Sequence, residues 1–290
     1  MDFFSNLIAL DNILQRLEDD TFSSSQKDAF FENLALTYFQ NEPFYQTEFS
    51  CLWRSKDFSE TQSINDSPDI NLIASLANAE GKFCAISTKL SPVTLDEIRG
   101  FLEKSPNFAQ RVLVTPTFLG KNAHDSISNL QPPLTIIDRG ALALSVLDFS
   151  HYNPKTTNPV LRAKKKLWPH QERAFDKIIQ GFAHHDRGIL VMACGTGKTL
   201  LSLKVAEKIA GQKALVLYLV PSLALLSQVL TTWTQEAQIP MKALAVCSDA
   251  LVGKRGKLPV DTHTRHLTEL SYPATTQAEP LAQALMTNLA

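Results

Sequence analysis

Cysteine is scarce in these 290 residues, and the four present, Cys51, Cys84, Cys194 and Cys247, never form a CxxC pair. That excludes a disulfide framework and a zinc knuckle, and it fits a reducing cytoplasm. No apolar run reaches the roughly 18 residues a membrane helix needs; even 188–192 and 214–220 are short and flanked by polar residues. The start, Met1-Asp2-Phe3-Phe4-Ser5, has no basic stretch ahead of an apolar one, so no secretory signal is visible. The expectation is a cytoplasmic protein with no membrane segment. Hydrophobic residues at 44% and charged residues at 20% allow a buried core and argue against wholesale disorder.

Excess charge of either sign is also missing, since the net charge is −1. Division of the chain changes this. Residues 1–150 carry 11 Lys+Arg against 20 Asp+Glu, or −9, and residues 151–290 carry 17 against 9, or +8. A basic half suits a polyphosphate ligand or nucleic acid, whose neutralised phosphates release condensed counterions. A merely solvated surface would show the same imbalance.

Helical spacing of apolar residues marks Phe3, Phe4, Leu7, Ile8, Ile13 and Leu14, then Phe30, Phe31, Leu34 and Tyr38. Strand-like runs at 69–76 and 82–88 flank a short turn and read as a hairpin. A helix at 94–104, a strand at 111–115, a helix near 122–130, a strand at 134–137 and a helix near 140–147 complete an α/β unit. Residues 151–159 lack periodicity and hold two prolines, which reads as a linker. Beyond it, helices at 169–183, 198–210 and 223–237 alternate with strands at 189–192, 214–220 and 243–247. Such alternation predicts right-handed crossovers and a parallel sheet. Residues 248–280 are mostly polar and turn-like, and a short helix-like run follows at 281–289.

The strongest chemical signal is Met192-Ala-Cys-Gly-Thr-Gly-Lys-Thr199, between an apolar strand and a helix. Gly195 and Gly197 permit backbone conformations that a side chain would block, and with Thr196 their amides can converge on a phosphate at a helix N-terminus. Lys198 would reach the β- and γ-phosphates of ATP, and the Thr199 hydroxyl would ligate Mg²⁺. The G-x-x-x-x-G-K-[ST] template places its first glycine at Met192, so the match is incomplete. A glycine-rich turn with an incidental lysine is the competing reading.

These residues resemble motif I of superfamily 2 helicases, which tolerate a non-glycine there. Leu167-Trp-Pro-His-Gln171 is similar to the element by which that superfamily recognises adenine, implying this role for Gln171. Residues 219–228 resemble motif Ia, implying DNA contacts by Pro221, Ser222 and Gln228. More narrowly, the chain resembles single-chain ATP-dependent restriction–modification enzymes, in which an Mrr-like nuclease precedes a helicase-type translocase. In the first half the likeness rests on Phe31-Glu32, Asn41-Glu-Pro43, Leu52-Trp53, the hairpin, Gly120-Lys-Asn-Ala123 and Pro132-Pro-Leu-Thr135.

The resemblance implies an α/β fold. A PD-(D/E)xK-like nuclease domain at 1–150 and a linker at 151–166 precede an incomplete RecA-like parallel α/β domain at 167–290. It also implies where the nuclease has decayed. Such sites hold Mg²⁺ with carboxylates beside a lysine, but the metal-ligand aspartate is replaced by Asn71, and the glutamine or glutamate two residues before the lysine by Ser87. Lys89 and the accessory acid Glu32 remain. An amide oxygen brings no charge to a hard cation, which points to a structural domain of nuclease descent; a shifted Asp69 or Asp66 is the alternative.

Hydrolysis in this superfamily needs a D-E-x-H element after motif I, and no Asp-Glu pair follows Thr199. Two readings follow. In one the chain is the N-terminal piece of a restriction translocase acting in phage defence, truncated before D-E-x-H. It binds duplex DNA, ATP and Mg²⁺, and is completed by a separate helicase and methyltransferase portion. In the other it is a noncatalytic DNA- or partner-binding module on a nucleotide-binding scaffold. Weaker signals carry less: Lys164–Lys166 and 254–257 read equally as phosphate-tracking or solvated, His263 and His266 lack a third metal ligand, and Cys194 reads as a small loop residue.

Overall fold

The computed structural model describes residues 3–18, 22–59, 69–77, 79–117, 134–153, 159–212, 214–246, 274–275 and 282. Two long helices come first, α1 (Phe3–Glu18) and α2 (Ser24–Asn41). α2 starts at a capping box in which Ser23 and Gln26 satisfy each other's backbone N–H groups. It stops at Glu42, because Pro43 excludes helical geometry from the residue before it. Pro43 then opens the short helix α3 (Pro43–Glu48).

Five strands follow, β1 (Phe49–Arg54), β2 (Leu72–Leu76), β3 (Phe83–Thr88), β4 (Gln110–Val114) and β5 (Thr135–Ile137), hydrogen-bonded in that order. β1–β2 and β2–β3 are antiparallel, and β3–β4 and β4–β5 parallel. The crossover from β3 to β4 runs through α5 (Leu95–Glu103), started by a Thr94–Glu97 capping box. The short helix α4 (Ser55–Ser59) follows β1, and α6 (Arg139–Leu144) follows β5.

Period-two alternation assigns the sheet its two faces. Leu72, Ala74, Cys84, Ile86, Val112 and Val114 point into a core completed by Phe31, Leu34, Tyr38 and Phe39 of α2. Ile73 and Ala85 point the other way, onto Phe58 and Phe101, and Leu113 meets Ile98 and Leu102 of α5. The α1 stripe departs from expectation. Phe4 and Ile8 are exposed, and Asn6, Leu10 and Leu17 are buried instead, because the Asn6 amide is needed inside. Its nitrogen donates to the carbonyls of Ala143 and Leu147, and its oxygen accepts from Phe149 N–H.

In the second half the expected helices form: α7 (Pro169–Phe182), α8 (Lys198–Ala210) and α9 (Leu223–Glu236). Two expected strands do not. Residues 188–193 and 214–220 carry no ladder, and Ile189, Val191, Leu217 and Leu219 are 80–92% exposed. A strand is defined by its hydrogen-bonded neighbour, and among the described residues neither segment has one. Among the described residues of this half, β6 (Ala245–Val246) pairs in parallel with β7 (Ala274–Thr275). The helices expected at 122–130 and 281–289 lie outside the described residues, residue 282 excepted.

Contacts join the halves. Leu230 of α9 and Ala245 belong to the same buried cluster as α2 and the first sheet. Arg162 N–H donates across to Val146 O at 2.8 Å, and within the second half Lys165 N–H donates to Glu236 Oε2 at 2.6 Å and Lys164 Nζ to the Ala237 carbonyl.

Candidate functional site

The glycine-rich loop ends on Gly197, which caps α8 at φ 78° and ψ 35°, and Gly195 has φ 77°. Both lie in the left-handed region that non-glycine residues enter at a cost of roughly 1–2 kcal/mol. Gly197 is required on a second count, because a Cβ there would collide with the Gln171 side-chain amide. The loop satisfies itself. Thr196 Oγ1 donates to Ala193 O at 2.7 Å, and Lys198 Nζ donates to the carbonyls of Ala193 at 2.9 Å and Met192 at 3.3 Å. Lys198 is exposed, so its ammonium has only to turn from these carbonyls to meet an anion.

Gln171 is 5% exposed, and both ends of its amide are engaged. Nε2 donates to Thr196 O at 2.9 Å, and Oε1 accepts from Trp168 N–H at 2.8 Å. In this arrangement the residue expected to read adenine braces the glycine-rich loop. Thr199, the second residue of α8, presents its carbonyl to Trp233 Nε1 at 3.2 Å. The residues expected to meet DNA cluster on α9: Ser222 caps it by accepting from Leu225 N–H, and Pro221, Ser222 and Gln228 are exposed.

On the sheet, the β2–β3 register pairs Leu72 with Ile86. The ladder ends there; beyond it Asn71 N–H donates to Ile86 O at 2.9 Å, and Ile70 packs in the same cluster as Ile73 and Ala85. Asn71 and Asp69 thus lie beside the end of β3, where Ser87 and Thr88 lead into Lys89. Asn71 Oδ1 accepts from Thr88 N–H at 2.8 Å, so the amide extends the hairpin. Ser87 is fully buried, and its Oγ finds no partner among the described residues. Glu32 does not join them, because α2 packs on the face of Leu72 and Ile86 and its carboxylate is held by Arg54.

Asp69 reaches the lysine but is already taken. Lys104 Nζ lies 2.5 Å from Oδ2 and Lys89 Nζ 3.2 Å from Oδ1. The Lys104 hydrogen bond, with that of Lys89, outweighs partial burial and holds the carboxyl below its usual range. A cation at Asp69 would have to displace two ammonium groups. Among the described residues no group of three His, Cys, Asp or Glu is placed to hold a metal. Asp66, Cys247, His263, His266 and 254–257 lie outside them.

Sequence reasoning missed Lys104 and Arg54, which neutralise the two remaining acids, and it missed Glu42. This carboxylate is 1% exposed and accepts from Gln235 Nε2 at 2.8 Å, Ser145 Oγ at 3.1 Å and Val146 N–H at 3.2 Å. Burial pushes its pKa up against those donors. The Asn41-Glu-Pro43 sequence was the available signal, since a glutamate ahead of an N1 proline occupies a cap position.

Residues 40–159 match a family described as restriction endonuclease, and residues 164–270 the type III restriction enzyme, res subunit. The structure superposes on the ATP-dependent type ISP restriction–modification enzyme LlaBIII, solved bound to DNA, with a TM-score of 0.72 and 29% identity. That match covers 99% of this chain and 17% of the other. A protein of Acanthamoeba polyphaga mimivirus with the provisional name ATP-dependent RNA helicase is 48% identical over 42 residues, 14% of this chain and 8% of its own. The chain thus spans a small fraction of both relatives. The resemblance to a restriction–modification enzyme with a nuclease-like domain ahead of a helicase-like one is borne out. Among the described residues no helix is long and apolar enough to cross a membrane.

Proposed function

From a chain that joins an Mrr-like restriction-endonuclease domain to a helicase domain of the res-subunit family, we propose the DNA- and ATP-binding portion of a restriction translocase, unable by itself to turn over ATP or cut DNA. The loop carries this reading. Gly195 and Gly197 hold left-handed backbone at the head of α8, and among the described residues an exposed Lys198 rests on loop carbonyls alone. That donor set fits a nucleotide polyphosphate. The amides of 195–197 and the Lys198 ammonium would hold the phosphates, and the Thr199 hydroxyl would hold Mg²⁺, which supplies charge neutralisation when bound. Gln171 would leave Thr196 O to meet adenine.

Duplex DNA would lie along the basic half, at Pro221, Ser222 and Gln228. The nuclease-like domain serves as structure, with no carboxylate at 71 and with Asp69 clamped. The remaining strands of the parallel sheet expected here would pair with the exposed apolar runs at 189–191 and 215–219.

Calorimetric titration of the chain with Mg·ATP tests the reading. Binding that weakens at least about tenfold in Lys198→Ala, the scale of a charge-assisted contact, with no DNA-stimulated phosphate release, is the expected result. Duplex binding should fall steeply with salt. Equal affinity in Lys198→Ala refutes the nucleotide site, and turnover by the chain alone refutes the incomplete-site reading.

A further inference from the structure

Helix α9 is held on two opposite sides by contacts the proposed activities do not use. Trp233 is 6% exposed, packed in the cluster of Leu200, Leu203 and Val229, with its ring edge-on to Tyr218 at 5.0 Å. Its indole N–H donates to the carbonyl of Thr199, the residue next to Lys198. Two residues on, about 200° around the helix, Gln235 Nε2 donates to Glu42 Oε1 and to Leu144 O, each at 2.8 Å. Arg162 Nη2 closes the far side on Leu144 O at 2.9 Å and Gln235 Oε1 at 3.4 Å.

These bonds leave little slack. Glu42 is buried, and its remaining donors, Ser145 and Val146, belong to the nuclease-like domain. A shift of α9 that stranded a buried carboxylate or amide would forfeit those bonds without return from water. The two domains therefore move with α9 or change partners in discrete steps.

We propose that α9 is a strut by which the nuclease-like domain reads occupancy of the phosphate loop, through Trp233 on Thr199 at one end and Gln235 on Glu42 at the other. The proposal rests on nucleotide binding at that loop. An anion that draws Lys198 off the Met192 and Ala193 carbonyls shifts the first turn of α8, and Thr199 with it. Trp233 follows Thr199, and Gln235 passes the shift to Glu42, which lies at the junction of α2 and α3. Coupling is reciprocal, so changes at Glu42 alter nucleotide affinity in turn.

Hydrogen exchange of the Val146 amide, which donates to Glu42, reads the far end directly. The full chain is titrated with Mg·ATP by calorimetry, and exchange over 143–149 is followed by mass spectrometry with and without saturating nucleotide. Wild type should bind and change exchange there by about fivefold, the factor that one hydrogen bond is worth. Trp233→Phe keeps a ring and removes the N–H, and Gln235→Met keeps the length and removes the amide. Each should bind Mg·ATP within about fivefold of wild type and lose the exchange response. Binding by wild type with unchanged exchange overturns the strut alone, as does a response surviving in either variant. No binding by wild type overturns the nucleotide reading, and the strut with it.

Discussion

Gly197→Ala separates backbone strain from packing in the phosphate loop. A left-handed alanine at φ 78° is disfavoured by about 1 kcal/mol. The new methyl would also occupy the place of the Gln171 amide, and expelling it breaks the bonds to Thr196 O and from Trp168 N–H. At about 1 kcal/mol for each bond, the expected loss is about 3 kcal/mol. Gly195→Ala has nearly the same φ, 77°, and a Cβ there meets nothing within 4 Å, so it should lose only the strain, about 1 kcal/mol. Gln171→Ala forfeits the same two bonds, about 2 kcal/mol. The double variant Gly197→Ala/Gln171→Ala counts those bonds once and should lose about 3 kcal/mol rather than about 5. Urea unfolding without nucleotide, followed by the emission of Trp168 and Trp233, measures all four proteins. Equal losses for the two glycine variants, or additivity in the double, would show that Gln171 does not brace the loop.

Two further outcomes concern the nuclease-like domain. Asp69 has a folded pKa held below its unfolded value by Lys104 and Lys89, so its stabilisation is full above the ordinary aspartate range and is lost as pH falls through the depressed folded value. Asp69→Asn should therefore flatten the acid limb of a stability–pH curve below about pH 4; an unchanged limb would show that the clamp contributes nothing. Wild-type protein should neither bind Mn²⁺ measurably nor cut duplex DNA, whereas Asn71→Asp with Ser87→Glu supplies two carboxylates near the end of β3 and should bind Mn²⁺ by calorimetry. Metal-dependent cutting by wild type, abolished in Lys89→Ala, would make Asp69 a working ligand.

What could be read from the chain was local. Period-two alternation located β2 and β3. The Thr94–Glu97 box started α5, Pro169 started α7, and the glycines of the loop announced their own left-handed backbone. β1 escaped because Phe49-Ser-Cys-Leu-Trp-Arg54 has no clean alternation, and its pairing with β2 crosses a register shift between Phe49 and Cys51. The runs at 189–192 and 214–220 have strand composition. Composition sets what a segment can pair with, while pairing itself depends on another segment being present.

The site divides along the same line. Residue types at fixed spacing named the candidates, but their electrostatic state was decided by residues far along the chain. Lys104 lies 35 positions from Asp69, Arg54 lies 22 from Glu32, and Gln171 is held by a carbonyl 25 residues on. The longest of these links is 193 positions, from Glu42 to Gln235. A buried carboxylate needs donors wherever the fold can supply them, and here one comes from the helix that also holds Thr199. The absence of a carboxylate at residue 71 therefore need not leave the nuclease-like domain idle. Its preserved core still presents Glu42 to α9, and through α9 to the phosphate loop, a role that depends on packing and not on a catalytic cation.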